Sequence, residues 1–182
     1  MPDLLTHLLL AYAAGTALSM RYRWLAPHWV SVVMAGALLP DLDHVADVVS
    51  AGLVHRTLGL PFDWTVLQQG GGVLLTVLIG TVLVSPDRRR RVFGLLWLGA
   101  GTHLLADLLI RTPDGHAQSI LWPLTQYQPP AVGLYTSVDR WPLVLAAVVA
   151  LATWYLIRRP NTERVFSGGV RSGGNSTDQS RK

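Results

Sequence analysis

Residues 38–44 read LLPDLDH, and the reading of that heptapeptide decides the fold. It sets two carboxylates and an imidazole within four positions, directly after the apolar run 29–39. Ionisable groups at bilayer depth are costly, and they face a bundle interior or a watery cavity rather than lipid. A proline at such depth is tolerated where neighbouring helices or a cavity satisfy the freed backbone. The stretch therefore predicts a membrane helix that carries Asp41, Asp43 and His44 into the inside of a helical bundle.

The bulk composition agrees. Half of the 182 residues are hydrophobic and only 14% are charged, far from an ordinary soluble surface. There are 15 basic and 11 acidic residues, but the basic ones are nearly all arginines in short clusters beside apolar runs. That distribution orients a membrane protein and gives no reason to expect nucleic acid. With no cysteine in the chain, a metal site has to be built from nitrogen and oxygen ligands.

Five apolar stretches follow one another: residues 4–20, 29–39, 73–84, 92–110 and 141–157. A spanning helix needs about 20 residues, so the first, fourth and fifth qualify by length. The second qualifies if it continues through Pro40 into the acidic motif, and Gly70, Gly71 and Gly72 open the third. The expectation is an all-α integral membrane bundle of four to five transmembrane helices. Residues 1–160 would form this single domain, and residues 161–182, rich in Ser, Gly and charge, a disordered tail.

Orientation follows from the arginines. With the N-terminus outside, Arg21, Arg23, the run 88–91, Arg158, Arg159, Arg164, Arg171, Arg181 and Lys182 fall inside, and Arg56, Arg111 and Arg140 outside, twelve of the 15 against three. This predicts a multi-pass protein of the plasma or inner membrane with a cytoplasmic C-terminus. Asp3 precedes the first span and arginines follow it, the reverse of a signal peptide, so that span is expected to be retained.

The same topology brings polar residues to one level. His103 and Asp107 are separated by four positions and share a helix face. Counting 1.5 Å per residue from the inner boundary, His103 lies at roughly 16 Å, Asp107 at roughly 22 Å, Asp41 and Asp43 at roughly 18 to 21 Å and His7 at roughly 20 Å. Three helices thus deliver ligand-type side chains to one depth. A divalent metal, Zn²⁺ or Mn²⁺, held by imidazole nitrogens and carboxylate oxygens is the chemistry that uses such a set. A cation among these carboxylates also offsets their burial. The bland alternative is that the same groups only link helices through hydrogen bonds. His28 and His116 are expected at the surface or interface, outside any site.

The segments LLTHLLLAYAAG, GALLPDLDH, LVHRT, GTHLLADLL and LWPLT, in this order over residues 1–125, resemble the inner-membrane-associated metal-dependent hydrolases, a family of small multi-helix membrane proteins. The Pro-Asp-x-Asp-His element with a later His-x-x-x-Asp is the most specific part. The resemblance implies His7, Asp41, Asp43, His44, His55, His103 and Asp107 as the matching polar positions. Of these, His7, Asp43, His44, His103 and Asp107 are the candidate metal ligands and Asp41 and His55 the candidate catalytic residues. The sequence departs from the pattern after His55, Arg56 and Thr57, where residues 58–64 read LGLPFDW without a histidine. Asp63 or Gln68 would have to substitute.

Two functions are therefore expected as alternatives. One is a membrane-embedded hydrolase acting on a lipid-proximal ester, phosphoester or amide, with the bilayer and a lipid or small membrane-proximal molecule as partners. The other is a non-enzymatic membrane protein, such as a small transporter, a metal-binding scaffold or a partner subunit, whose His/Asp cluster is structural or an ion path. The segment 124–142, with its prolines and with Tyr127, Tyr135 and Trp141, reads as an ordered outer loop that could lie over the site.

Overall fold

The computed structural model of the chain describes residues 4–59, 61 and 63–159. Six α-helices carry the architecture: α1 (Leu4–Arg21), α2 (Pro27–Leu38), α3 (Ala51–Leu58), α4 (Gly70–Val82), α5 (Arg89–Leu108) and α6 (Trp141–Arg158). Two 3₁₀ segments, η1 (Pro40–Asp47) and η2 (Trp64–Gln68), join them. The described residues form no β-strand; the segment between α5 and α6 is tied down by isolated bridges, Ile110 to Tyr135 and His116 to Pro130. The expected tail, residues 161–182, lies outside the described residues.

The all-α class follows from the apolar runs, and the four to five spans expected are matched only in part by length and composition. Among the described residues, α6 alone is long and apolar enough to cross a bilayer, and α2 with η1 meets the same test as one span bent by 56°. α1 and α5 have the length, at 18 and 20 residues. Their composition is diluted, α1 by Thr6, His7, Thr16, Ser19 and Arg21, and α5 by an arginine-rich first turn and by His103 and Asp107. α4 is apolar apart from Thr76 and Thr81 but has 13 residues, about 20 Å at 1.5 Å each.

α2 is the central helix, packed between α1 and α5. Its approach to α5 is close because each contributes a glycine where a side chain would collide with backbone: a Cβ on Gly36 would overlap the Leu96 carbonyl, and one on Gly99 the Val33 carbonyl. Small-residue contacts of this kind let helices associate in lipid, where no hydrophobic force drives them together. Around the seam sit Ala11, Val33, Ala37 and Leu95 on one side and Val73, Val77, Leu96 and Ala100 on the other, all buried.

The break after Leu38 positions the acidic motif. Pro40 has no N–H to offer the preceding turn and its ring crowds that turn, so Leu39 N–H bonds back to Gly36 O at 3.3 Å and the chain tightens into η1. The continuation through Pro40 expected from sequence is thus a sharp bend.

Candidate metal centre

The start of α1, the end of α5 and the break after α2 converge. His7 and His103 are among the largest fully buried side chains, 1% and 0% exposed. Their rings stack with centroids 3.7 Å apart and planes 14° from parallel. Asp107, one helical turn beyond His103, touches both: its Oδ2 lies 3.1 Å from His103 Nε2 and its Oδ1 3.5 Å from His7 Nε2. Asp41 approaches from η1 with Oδ1 3.7 Å from His103 Nε2.

The remaining motif residues form a second group on η1. Asp43 Oδ1 lies 3.0 Å from His44 Nδ1, which is also 3.2 Å from the Asp41 carbonyl oxygen. Ligand atoms of His7, His103 and Asp107 lie within 4.8 Å of one another, and so do those of Asp41, Asp43 and His44. The contact of Asp41 with His103 joins the two groups. His55 lies exposed on α3 and belongs to neither.

The histidine missing after Thr57 has a counterpart of a different kind. Gln68, at the end of η2 and 5% exposed, donates from Nε2 to Asp43 Oδ2 and accepts from Gln118 Nε2 at 3.2 Å. Asp63 instead caps η2, accepting from the Thr65 N–H at 3.0 Å. A cavity of about 130 Å³ opens beside the centre, with Gln68, Asp107, Thr112, His116 and Gln118 as its polar wall. His116, expected outside any site, thus faces the same cavity as Asp107. Gln118 carried no signal in the sequence. Tyr135 stands on another side of Asp107. Its hydroxyl donates to the Ala106 carbonyl at 2.6 Å, and burial pushes it up to about 12.

Whether these residues suit a metal turns on His103. Its Nδ1 lies 2.8 Å from the Ala37 carbonyl, an acceptor only, so Nδ1 carries the proton. In the neutral ring that leaves a lone pair on Nε2, which is buried, makes no hydrogen bond and faces the oxygens of Asp107 and Asp41. Asp107 Oδ1 is likewise buried without a hydrogen bond. Acceptors directed at acceptors repel, and buried polar groups of this kind need a donor or a cation between them. A histidine that anchors one nitrogen on a carbonyl and offers the other is the usual arrangement of an imidazole ligand. The donor set fits a divalent ion.

The family comparison settles the broad identity. A family model described as YdjM inner membrane protein matches residues 1–170. The chain belongs to the YdjM inner membrane protein family. The description agrees with the inner-membrane part of the resemblance drawn from the motifs and names neither hydrolysis nor metal. No curated protein and no solved structure matches the chain.

Proposed function

We propose that this YdjM-family chain is a multi-pass inner-membrane protein, N-terminus outside and C-terminus cytoplasmic, that uses a His/Asp-bound Zn²⁺ or Mn²⁺ ion to hydrolyse an ester, phosphoester or amide of a small membrane-proximal molecule. The observation that carries the reading is the buried Nε2 of His103, directed at two carboxylates while Nδ1 is tied to the Ala37 carbonyl. His7, His103 and Asp107 would hold the ion together with an oxygen of Asp41 or Asp43. Such an ion supplies Lewis-acid polarisation of the substrate's carbonyl or phosphoryl oxygen.

The chain's own groups supply the rest. Asp41 is 11% exposed and reaches the centre through a single 3.7 Å contact, which leaves it an oxygen to accept a proton from an attacking water. Gln68 holds Asp43 in place and is itself held by Gln118. The 130 Å³ cavity admits substrate past Asp107. Its other wall, Leu104, Leu108, Ile110 and Ile120, suits a molecule with an apolar portion.

The stacked imidazoles and the bond to Ala37 tie three helices together, and this favours the second reading, a non-enzymatic protein with His103 doubly protonated between Asp41 and Asp107. Elemental analysis of the purified full-length protein separates the two. About one Zn or Mn per chain, lost in the double variant His7→Gln, His103→Gln, supports the metal centre. Folded wild-type protein that is free of metal and gains none on dialysis against either ion overturns it. Release of product from lipid or small-molecule esters and phosphoesters, abolished in Asp41→Asn with metal retained, then tests the hydrolase.

A further inference from the structure

On the side of α1 and α5 that faces α6, the bundle carries an apolar groove of about 540 Å³, walled by Leu10, Ala13 and Ala17 of α1, Leu105 of α5 and Leu145 and Val149 of α6. It begins at the level of Thr6, Tyr135 and Trp141 and ends at Ala17 and Thr153. From Thr6 to Ala17 is about 16 Å at 1.5 Å per residue, close to half of the ~30 Å hydrocarbon core. The groove is therefore as deep as one leaflet. A helix from a second copy would need a seam along the whole of α6, which spans the core, whereas this one stops partway down.

The head of the groove is polar. It is continuous with a small recess lined by Ser137, Asp139 and Arg140, and the two spaces share Thr6, Tyr135 and Pro142. The Asp139 carboxylate is committed to its own turn, accepting the Thr136 N–H at 2.6 Å and the Thr136 hydroxyl at 2.9 Å. Arg140 is exposed and forms no ion pair with any described residue. It also immediately precedes α6, so its charge adds to the positive end of that helix. Trp141, an interfacial residue type, fixes this recess at headgroup level. An uncompensated cation above an apolar slot one leaflet deep is complementary to a phosphate on an acyl chain.

We propose that this face holds one phospholipid of the leaflet on the Trp141 side, its phosphate at Arg140 and one acyl chain along the groove. Asp107 is not among the residues that line the groove, so the seat does not depend on the metal reading and a lipid bound there need not be a substrate.

Native mass spectrometry of the full chain in detergent tests this, with phosphatidylglycerol and a diacylglycerol of the same acyl chains as competing probes. Wild-type protein is expected to retain one phosphatidylglycerol in preference to diacylglycerol by about fivefold, the factor that one arginine contributes at a membrane surface. Arg140→Gln removes the preference and leaves diacylglycerol binding unchanged. The double variant Leu105→Trp, Val149→Trp, both exposed positions, fills the groove and removes both adducts. If that variant fails to fold, the ratio measured with Arg140→Gln still decides. Equal adducts in wild type and Arg140→Gln, no adduct at all, or a lipid-free dimer that the tryptophans dissociate would each overturn the proposal.

Discussion

Asp107→Asn is the most direct perturbation of the centre, because Asp107 touches both buried imidazoles, at 3.1 and 3.5 Å. The amide keeps the shape but removes the charge and one acceptor. An ion present at a hundred times its dissociation constant stabilises the wild type by about 2.7 kcal/mol. At about 2–4 °C per kcal/mol for a chain of this size, the unfolding midpoint should rise by about 5–11 °C on adding Zn²⁺ or Mn²⁺. Loss of a ligand weakens binding by at least about 100-fold, the upper figure for groups one shell further out. The same ion concentration then gives only about 0.4 kcal/mol, a rise of about 1 °C. In chelator the order is also informative. With a neutral His103, the variant should be at least as stable as wild type, since a buried carboxylate facing a lone pair has gone. If His103 is instead an imidazolium paired with Asp107, its removal costs about 3–5 kcal/mol and neither protein responds to metal. Scanning fluorimetry of both proteins, with chelator and with each ion, reads all six states. A destabilised variant in chelator together with no metal response in either protein would refute the reasoning.

Three further outcomes are expected. Pro40→Ala should let α2 continue and reclaim the Ala37 carbonyl for its own ladder, so bound metal per chain should fall while helix content by circular dichroism holds or rises; unchanged metal content would show that His103 does not need that carbonyl. Asp139 is held below the usual carboxylate range, chiefly by the Thr136 backbone N–H and then its hydroxyl, with Arg111 adding attraction, and Asp114 chiefly by the His116 backbone N–H. Their turns are therefore fully supported above about pH 4, the unfolded value, and should loosen as pH falls through the depressed folded values. Amide NMR shifts of Thr136 and His116 should move in that window, with the Thr136 step absent in Asp139→Asn; a midpoint above pH 4 contradicts the sign. Because the chain has no cysteine, Val138→Cys and Ser85→Cys are clean topology reporters at exposed positions. A membrane-impermeant maleimide should label the first and not the second on intact cells, and the reverse pattern inverts the arginine-based orientation.

The convergence of His7, Asp41, His103 and Asp107 was legible in the sequence because it depends on local rules: a fixed rise per residue, and the shared face of positions 103 and 107. The number of spans was less legible. Counting apolar letters credited α1 and α5 as lipid-compatible, although both carry scattered polar residues, of which His7, His103 and Asp107 build the centre. Gln118 and His116 could not be found this way. They sit in a segment without periodicity, and Gln118 reaches Gln68 across 50 residues. Gln68 had one signal, its position after a segment that lacks an expected histidine. His55 matched the motif, but α3 keeps it exposed and outside both clusters.

The heptapeptide LLPDLDH shapes the backbone and the polar centre by the same means. A helix end leaves its last carbonyls without intrahelical partners, and Pro40 places such an end within the bundle, where water is scarce and an orphaned carbonyl is costly. Ala37 lies in that last turn, and the group that satisfies it is His103 Nδ1 at 2.8 Å. The bond that repairs the break thereby fixes the imidazole tautomer and turns Nε2 towards the carboxylates. The 56° bend between α2 and η1 brings Asp41 to within 3.7 Å of that nitrogen. A continuous helix would have kept the Ala37 carbonyl for the N–H of residue 41 and carried Asp41 onward along its axis. The proline therefore couples the backbone defect to the polar centre through Asp41, the residue that immediately follows it.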